Sequence, residues 1–287
     1  MKTQKIFSKN ADWQRLLVLK TNRYKRQKNR AFFVEGVRSI NNAVACGWQI
    51  ESFVYSFEAQ LSGWARDLLR TVQTSVNYAL TDALMAELSG KADASELVAV
   101  AVMREDSAEG LTLSANPVLA LFDRPSNHGN LGTIIRSCDA LGVEALLLTG
   151  HSADLYEPEV IAASMGSFFK LPVIRIAENE TLLQFLAALR EKYPGFQIVG
   201  TTAHRESSIY NADLRRPTLF LIGNETQGLS KAYRELCDLM VTIPMAEDAY
   251  ATSFNVGCAA TVMFYEARRQ RALGRDVFAY NKVDEVE

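Results

Sequence analysis

Six short apolar segments recur between residues 117 and 244, and enough chain for a helix separates most of them. In chain order they are VLALF, EALLLTG, LPVIRI, FQIVGTT, TLFLIG and LMVTIP. Continuously apolar strands that alternate with helices are typical of a mostly parallel sheet buried on both faces. Ligands of such sheets bind at the carboxyl ends of the strands. We therefore expect an α/β domain over residues 117–287, with its functional groups in the loops that follow these strands.

The first third of the chain shows a similar alternation on a smaller scale. Strand-like AFFVEG, ESFVYS, VNYAL and SELVAVAVM are interleaved with helix-like VRSINNAVACG, LSGWARDLLRTV and TDALMAELSG. A chain of 287 residues is long enough for two cores. We predict a smaller α/β domain over residues 1–104. The stretch REDSAEGLTLSANP carries charge, glycine and proline without periodicity, and residues 105–116 within it are the predicted linker.

The basic residues are concentrated at the start of the chain. Residues 1–40 hold eleven lysines and arginines against two acidic residues, whereas the remainder holds 20 basic and 31 acidic residues. A solvated helix face is one explanation of such a run. The stretch KTNRYKRQKNR also contains an aromatic ring and amides, which stack on bases and bind phosphates. We interpret it as an RNA-binding segment, with Arg23, Lys25, Arg26, Lys28 and Arg30 as the candidate contacts.

Several other classes of protein do not fit the sequence. The longest apolar runs, such as LVAVAVM, are far shorter than the ~18 residues of a membrane-spanning helix, and the start lacks the pattern of a signal peptide. The four cysteines are widely separated, without metal-ligand spacing, and we expect them to be reduced. We expect a cytoplasmic protein with no membrane association and no metal.

The first of three notable loops is NHGNLG, which follows VLALF. Its glycine spacing is not that of a dinucleotide-binding loop, so an unrelated nucleotide-binding α/β enzyme is a disfavoured alternative. Asn127 or Asn130 could cap the following helix. Arg136 would lie in the first turns of that helix, where a cation could meet an anion already attracted by free N–H groups. A surface salt bridge is the alternative for this arginine.

The second and third loops follow TLFLIG and LMVTIP. In GNETQGLS, Glu225 stands between two glycines that let a ligand approach the backbone, although an acid at a helix N-terminus would look the same. The third loop ends in SFNVGCAATVMFYEARRQ. We predict Ser253 as the N-cap of the last helix, with Asn255 just inside it.

The three loops in this order resemble the three motifs of the SpoU/TrmH family of RNA ribose 2′-O-methyltransferases, in the SPOUT superfamily. The matching patterns are N-x-x-N-x-G-x-x-x-R, G-x-E-x-x-G, and I-P-M followed by S-x-N-V. ASMGSFFKLPV resembles the segment between the first two motifs, and RYKRQKNRAFFVEGVRSINNAV resembles the substrate-binding domain that many members carry. The resemblance covers nearly the whole chain.

The resemblance implies a catalytic domain with a deep trefoil knot, a homodimer formed through that domain, and S-adenosylmethionine bound in the knot. The implied cofactor contacts are Thr201, Thr202, Gly223, Asn224, Gly228, Ile243 and Phe254. The implied catalytic positions are Asn130, Arg136, Glu225, Ser253 and Asn255. Arginine is a poor proton acceptor at neutral pH, so we expect Arg136 to bind the phosphate beside the target ribose. Ser253 and Asn255 would position the hydroxyl, and Glu225 would fix the loops around Arg136 and Asn130.

Three features depart from the family pattern. His128 stands where proline is frequent, the third loop lacks the glycine usual after I-P-M, and Gly257 stands where serine is common. The predicted activity is methylation of a ribose 2′-hydroxyl in structured RNA, with rRNA favoured over tRNA. The alternative is a catalytically silent knotted RNA-binding protein, which the joint retention of Arg136, Glu225, Ser253 and Asn255 disfavours.

Overall fold

The computed structural model describes residues 2–90, 95–105, 107–108, 110–202 and 207–272, and its strands form two separate sheets. The first sheet has the order β1-β4-β3-β5-β2, and the second has the order β10-β12-β9-β11-β6-β7-β8. The strands of the first sheet are β1 (Thr3–Ile6), β2 (Ala31–Glu35), β3 (Ile50–Ser56), β4 (Asn77–Leu80) and β5 (Leu97–Val102). Those of the second are β6 (Val118–Asp123), β7 (Ala145–Thr149), β8 (Val173–Ile176), β9 (Gln197–Thr201), β10 (Ser207–Ser208), β11 (Thr218–Ile222) and β12 (Leu239–Thr242).

Ten α-helices are described, five with each sheet. The first five are α1 (Ala11–Thr21), α2 (Arg23–Asn29), α3 (Val37–Ala45), α4 (Gly63–Thr71) and α5 (Asp82–Ser89). The second five are α6 (His128–Leu141), α7 (Pro158–Ala163), α8 (Asn179–Lys192), α9 (Lys231–Leu236) and α10 (Val256–Ala272). The helix termini follow local chemistry. Asn127 accepts a hydrogen bond from the backbone N–H of Asn130 and caps α6, and Gly142 ends this helix with a positive φ of 79°.

All six strands predicted in the second half exist, and every pairing in their sheet is parallel. The four strands predicted in the first half also exist. Two strands escaped the sequence analysis. β1 lies inside the basic segment and buries only Ile6, and β10 has two residues. Neither has enough apolar alternation to be recognised.

The large sheet is covered on both faces. One face packs against α6 and α10 through residues such as Ile134 and Phe264, and the other packs against α8 through Leu182 and Leu186. β11 precedes β12 in the chain, yet β9 lies between them in the sheet. The chain therefore crosses back over β9 after β11, and this order is compatible with the predicted trefoil knot.

The two sheets are joined by an aromatic cluster. Phe32 on β2 lies 4.8 Å from Tyr156 between ring centroids, and Trp48 lies 5.5 Å from Phe168. The indole N–H of Trp48 also donates to the backbone carbonyl of Phe169 at 2.8 Å. Because these residues belong to the same buried cluster as the core under α6, the N-terminal part packs directly on the larger sheet.

Candidate active site

Glu225, on the loop after β11, holds the loop after β6 in place. One carboxylate oxygen accepts hydrogen bonds from the backbone N–H and the hydroxyl of Ser126, at 3.1 and 2.8 Å. The other accepts from the backbone N–H of Asn127 at 3.1 Å and from the side-chain amide of Asn130 at 3.4 Å. Glu225 is not the terminal acid of the helix that follows it, because α9 begins only at Lys231 and these partners belong to a different loop.

The same contacts keep Glu225 ionised. Burial alone would raise its pKa, but hydrogen bonds from its own backbone N–H, from the Ser126 hydroxyl and from the backbone N–H groups of Asn127 and Ser126 outweigh that effect. The pKa of Glu225 is therefore lowered. An acceptor-only carboxylate suits a position that faces four donors.

Asn130 continues this hydrogen-bond chain to the third loop. Its side-chain oxygen accepts from the side-chain amide of Asn255 at 3.0 Å. The structure thus connects Glu225, Asn130 and Asn255, one from each of the three loops, although they are separated by up to 125 positions in the sequence.

Asn255, rather than Ser253, caps the last helix, so the predicted N-cap is wrong. Helix α10 begins at Val256. The side-chain oxygen of Asn255 accepts from the backbone N–H groups of Gly257 at 2.9 Å and Cys258 at 3.4 Å. Serine and asparagine cap helices about equally well, so the sequence could not separate the two positions. Ser253 is consequently exposed and free of the capping role.

A cleft of about 330 Å³ lies beside this group, between the ends of β9, β11 and β12. Its size is in the range of small-molecule sites. All seven predicted cofactor residues line it, and so do Glu225 and Ser253. The cleft is also lined by residues that were not predicted, among them Leu229, Val241, Met245, Val256 and Ala259. They carry no motif, because they contribute apolar surface that many residue types could supply.

Gly223 is required by the tight loop that forms one wall of the cleft. A Cβ atom at this position would lie closer than 3.0 Å to backbone atoms of Gly228 and Leu229. Asn224 and Gly228 exchange backbone hydrogen bonds of 3.1 and 2.9 Å, which close the loop. Asn224 also donates its side-chain amide to the backbone carbonyl of Arg124 at 2.7 Å.

Arg124 is a site residue that the sequence analysis missed. Its guanidinium donates to Asp123 and to the side-chain oxygen of Gln227 at 2.7 Å, and lies 3.4 Å from the carbonyl of Gly228. The hydrogen bond with Asp123 raises the pKa of Arg124. The signal was an Asp-Arg pair directly after an apolar strand. This pair holds the loop after β11 against the end of β6.

Comparison with known proteins decides the family. The model of the SpoU rRNA Methylase family matches residues 117–265, and that of the SpoU L30e-like domain matches residues 10–99. The chain belongs to the SpoU family. A 23S rRNA (uridine(2479)-2′-O)-methyltransferase of Streptomyces viridochromogenes is 43% identical over 95% of this chain and 94% of its own length. The 23S rRNA (guanosine(2553)-2′-O)-methyltransferase RlmP of Bacillus subtilis is 26% identical over 93% of this chain and 97% of its own.

Solved structures of the SpoU family superpose on almost the whole chain. The SpoU methyltransferase AviRb from Streptomyces viridochromogenes, in complex with the cofactor AdoMet, is 42% identical and covers 93% of this chain and 100% of its own with a TM-score of 0.86. An AdoMet-bound rRNA methyltransferase from Sinorhizobium meliloti is 26% identical and covers 93% of this chain and 98% of its own with a TM-score of 0.80. The SPOUT fold class predicted from the motifs is confirmed.

Arg136 stands apart from the other predicted catalytic residues of this SpoU protein. It is exposed on α6, and the structure gives it no hydrogen bond or ion pair among the residues described. It does not line the cleft. The alternative of a surface salt bridge is therefore not observed in the described part of the chain. Arg136 presents an uncommitted guanidinium to solvent on the helix that starts at the motif.

The predicted RNA contacts divide into two kinds. Arg23, Lys25, Lys28 and Arg30 are exposed. Arg26 is fully buried, and it is ion-paired with Asp154 and Glu157 of the larger domain. The prediction that Arg26 contacts RNA is wrong, because a side chain with no exposed surface cannot reach a phosphate. A run of charges in the sequence does not show which member turns inward.

Two departures from the family pattern acquire a structural setting. His128 is partly exposed, and its Nδ1 lies 3.7 Å from a carboxylate oxygen of Glu159. A Cβ at position 257 would lie 3.1 Å from the methyl carbon of Thr133. Glycine therefore allows α10 to approach α6 closely at this position.

The remaining expectations concern membranes, metals and cysteines. None of the helices in the described ranges is long and apolar enough to cross a membrane. Within those ranges no group of three or more His, Cys, Asp or Glu side chains is arranged to hold a metal ion. All four cysteines are free thiols, of which Cys138 is buried and Cys258 exposed.

Proposed function

We propose that this protein transfers the methyl group of S-adenosylmethionine to a ribose 2′-hydroxyl in 23S rRNA. The observation that carries the proposal is the hydrogen-bonded group of Glu225, Asn130 and Asn255 at a cleft lined by every predicted cofactor residue. Full-length relatives named as 23S rRNA 2′-O-methyltransferases and an AdoMet-bound neighbour support it.

The cleft suits the cofactor chemically. Leu229, Val241 and Ile243 offer apolar surface for an adenine ring, while the narrow loop from Gly223 to Gly228 brings backbone groups to the cleft wall. Arg234 also lines the cleft and could meet a carboxylate. Bound S-adenosylmethionine supplies an electrophilic methyl group on a sulfonium ion. The residues of the chain then have to hold the ribose oxygen in line with that methyl group.

Positioning is the task that we assign to Asn130, Ser253 and Asn255. The two asparagine side chains already bond each other, and Ser253 borders the cleft with its hydroxyl uncommitted to a helix cap. Glu225 fixes both ends of the first loop, so that Asn130 is held before any ligand arrives. Orientation of this kind lowers reaction barriers by up to ~7–11 kcal/mol.

Arg136 acts on the RNA in this proposal. An arginine remains protonated at neutral pH, so it cannot accept the hydroxyl proton. Its free guanidinium is suited to bind the phosphate next to the target ribose in a bidentate manner. A phosphate so held fixes the sugar, and the cation favours loss of the hydroxyl proton to solvent.

A homodimer formed through the C-terminal domain belongs to the same proposal. Cys258, Val262 and Tyr265 form an exposed stripe along α10 at helical spacing. Arg136 lies on the exposed face of α6, the helix against which α10 packs. A second copy covering this surface would bring Arg136 of one protomer toward the cleft of its partner. Arg136 does not line the cleft of its own protomer.

The two parts of the chain receive different roles. We assign residues 1–104 to RNA binding, residues 105–116 to the linker and residues 117–287 to catalysis. The separate sheets and the separate family-model matches support this division. We expect an enzyme that acts on rRNA to work in the cytoplasm. The described residues form no helix that could cross a membrane.

Calorimetry with S-adenosylmethionine and tritiated methyl transfer test the proposal together. We expect stoichiometric cofactor binding and label transfer to rRNA isolated from a strain that lacks the gene. Binding without transfer to any RNA would favour the catalytically silent RNA-binding protein. If S-adenosylmethionine does not bind, both proposed functions are contradicted and only the assignment of the fold is left.

A further inference from the structure

Arg26 stands out because a large cation on a basic helix is completely buried. Its Nε donates to Asp154 at 2.8 Å, and its Nη2 contacts Asp154 at 2.7 Å and also Glu157. Its Nη1 donates to the backbone carbonyls of Leu19 and Lys20 at 3.1 and 2.8 Å. All three nitrogens of the guanidinium are therefore used, two on the larger domain and one on the end of α1.

The partners of Arg26 lie next to the catalytic loops. Asp154 and Glu157 belong to the segment between β7 and α7, and Ser152 of the same segment accepts a hydrogen bond from Arg23 at 2.9 Å. The backbone N–H of Ala153 donates to the carbonyl of Pro125 at 2.7 Å. Pro125 directly precedes Ser126, which Glu225 holds. Hydrogen bonds between directly adjacent residues thus connect the basic helix α2, through the β7–α7 segment, to the active-site loops.

Apolar packing alone would leave the orientation of the two domains loosely defined. The aromatic cluster around Phe32 buries surface, and burial itself is non-directional. Within the cluster, the indole N–H of Trp48 makes a single directional hydrogen bond to the carbonyl of Phe169. A buried guanidinium with several fixed acceptors is directional, and buried ion pairs add little net stability but in some proteins specify a defined arrangement.

We propose that Arg26 is a positioning residue for methyl transfer: it fixes the basic helix α2 on the β7–α7 segment, so that RNA held by the N-terminal domain meets the active-site loops in one register. This inference rests on the proposed function. The exposed Lys25 and Lys28 bind the RNA backbone, and Arg26 determines where that backbone lies relative to the cleft.

The test compares Arg26→Met with two variants that lose the same charge. Lys25→Met removes an exposed cation from the same helix and should act on RNA affinity, with the salt dependence of binding reduced by about one unit of slope. Arg70→Met removes a surface arginine paired with Asp67 at 3.0 Å and should behave as wild type. Arg26→Met should lower kcat at saturating RNA at least tenfold, because misplacement by ~1 Å costs up to ~10²-fold, while cofactor affinity stays within twofold.

A second variant separates positioning from folding. Removing one partner of a buried pair leaves an uncompensated charge, whereas replacing both by apolar residues often restores stability. Arg26→Met/Asp154→Leu should therefore recover most of the lost melting temperature, because the remaining partner Glu157 is 28% exposed and can be hydrated, but not kcat, and Arg26→Lys should recover part of kcat. Recovery of kcat together with stability in the double variant would overturn the proposal. A loss of RNA affinity in Arg26→Met equal to that in Lys25→Met would overturn it as well.

Hydrogen exchange distinguishes this inference from the proposed function, because it needs no activity. Arg26→Met should speed exchange in residues 150–157 and 123–130, where Arg70→Met should not. If the wild-type protein transfers no methyl group but the exchange difference is seen, the role of Arg26 in fixing α2 on the β7–α7 segment is supported and the proposed function is contradicted. Unchanged exchange in both segments would contradict this role of Arg26, whether or not the protein transfers methyl groups.

Discussion

Two loops border the same cleft, and they differ in how they are held. The loop after β11 is held by hydrogen bonds to Asp123 and Arg124 at the end of β6. Asn224 and Glu225 within it also make hydrogen bonds to the loop after β6. The loop after β12 is exposed from Ala246 to Asn255, and Tyr250 is fully exposed. One wall of the site is therefore set by the fold, and the other is a lip open to solvent.

This difference indicates a division of labour. A wall fixed by several hydrogen bonds needs no reorganisation when the cofactor binds, which favours both affinity and alignment. A solvent-facing lip has its side chains available for the RNA. Substitutions in the first loop should therefore affect the cofactor and kcat, and those at residues 246–251 of the second loop, which do not line the cleft, should affect RNA.

The largest effect is expected for Gly223→Ala. The added carbon would meet backbone atoms of Gly228 and Leu229, which cannot move without opening the loop. Affinity for S-adenosylmethionine should fall by more than ~100-fold, because the substitution would distort the whole cofactor site rather than remove one contact. Calorimetry measures this. Gly63→Ala is the control, because a Cβ there meets nothing within 4 Å; an affinity within threefold of wild type for Gly223→Ala would show that the wall is adaptable.

Arg136→Ala should give the next largest effect. Methyl transfer should fall by ~10²–10³-fold, because the phosphate beside the ribose loses its bidentate partner, and cofactor affinity should stay nearly intact since Arg136 lies outside the cleft. Single-turnover kinetics at saturating RNA measure the first and calorimetry the second. A large loss of cofactor affinity would contradict the assigned role, and Arg136→Lys should retain part of the rate.

Glu225→Gln should lower kcat by ~10-fold or more, because its amide group would present N–H donors to backbone donors of Ser126 and Asn127. The same residue gives a pH test. Its pKa is lowered in the folded state, so its contribution to stability is complete above its unfolded pKa and disappears as pH falls through the folded value.

Thermal unfolding of wild type and Glu225→Gln at a series of pH values checks the second part. The difference in melting temperature should be constant near neutral pH, should begin to decrease below the ordinary carboxylate pKa of ~4.3, and should vanish once the pH is below the lowered pKa of the folded state. A difference that grows toward low pH would mean that the sign of the shift is wrong.

The smallest effect is expected for Tyr250→Ser, in the exposed lip. KM for RNA should rise by no more than ~3-fold, because a fully exposed side chain loses no packing. Cofactor affinity should not change. Steady-state kinetics with varied RNA measure the first; if Tyr250→Ser impairs cofactor binding, the lip is as much a part of the cofactor site as the opposite wall.

The sequence predicted the parts of the site that depend on backbone geometry. Glycines that permit close approach, asparagines at turns and continuous apolar strands each have a local signature, so the three loops could be located in advance, whereas the cofactor residues followed from the family resemblance. What it did not predict depends on long-range contacts. Arg26 and Arg124 look like ordinary surface cations in the sequence, and only the fold shows that Arg26 is ion-paired with the larger domain and that Arg124 is hydrogen-bonded to the loop after β11.

The choice between neighbouring caps was likewise beyond the sequence. Ser253 and Asn255 have similar capping strength, and the contact between Asn255 and Asn130 accompanies the later start of the helix. The role of Arg136 and the identities of the exposed RNA contacts remain predictions.

The central claim is methylation of a ribose 2′-hydroxyl, and the chemical position of the transferred label tests it most directly. Alkali cleaves RNA through attack of the free 2′-hydroxyl on the adjacent phosphate, so a methylated ribose leaves an uncleaved dinucleotide. After transfer of tritiated methyl groups to rRNA and alkaline hydrolysis, we predict label in a single alkali-resistant dinucleotide. Label released in mononucleotides would place the methyl group on a base and contradict the account.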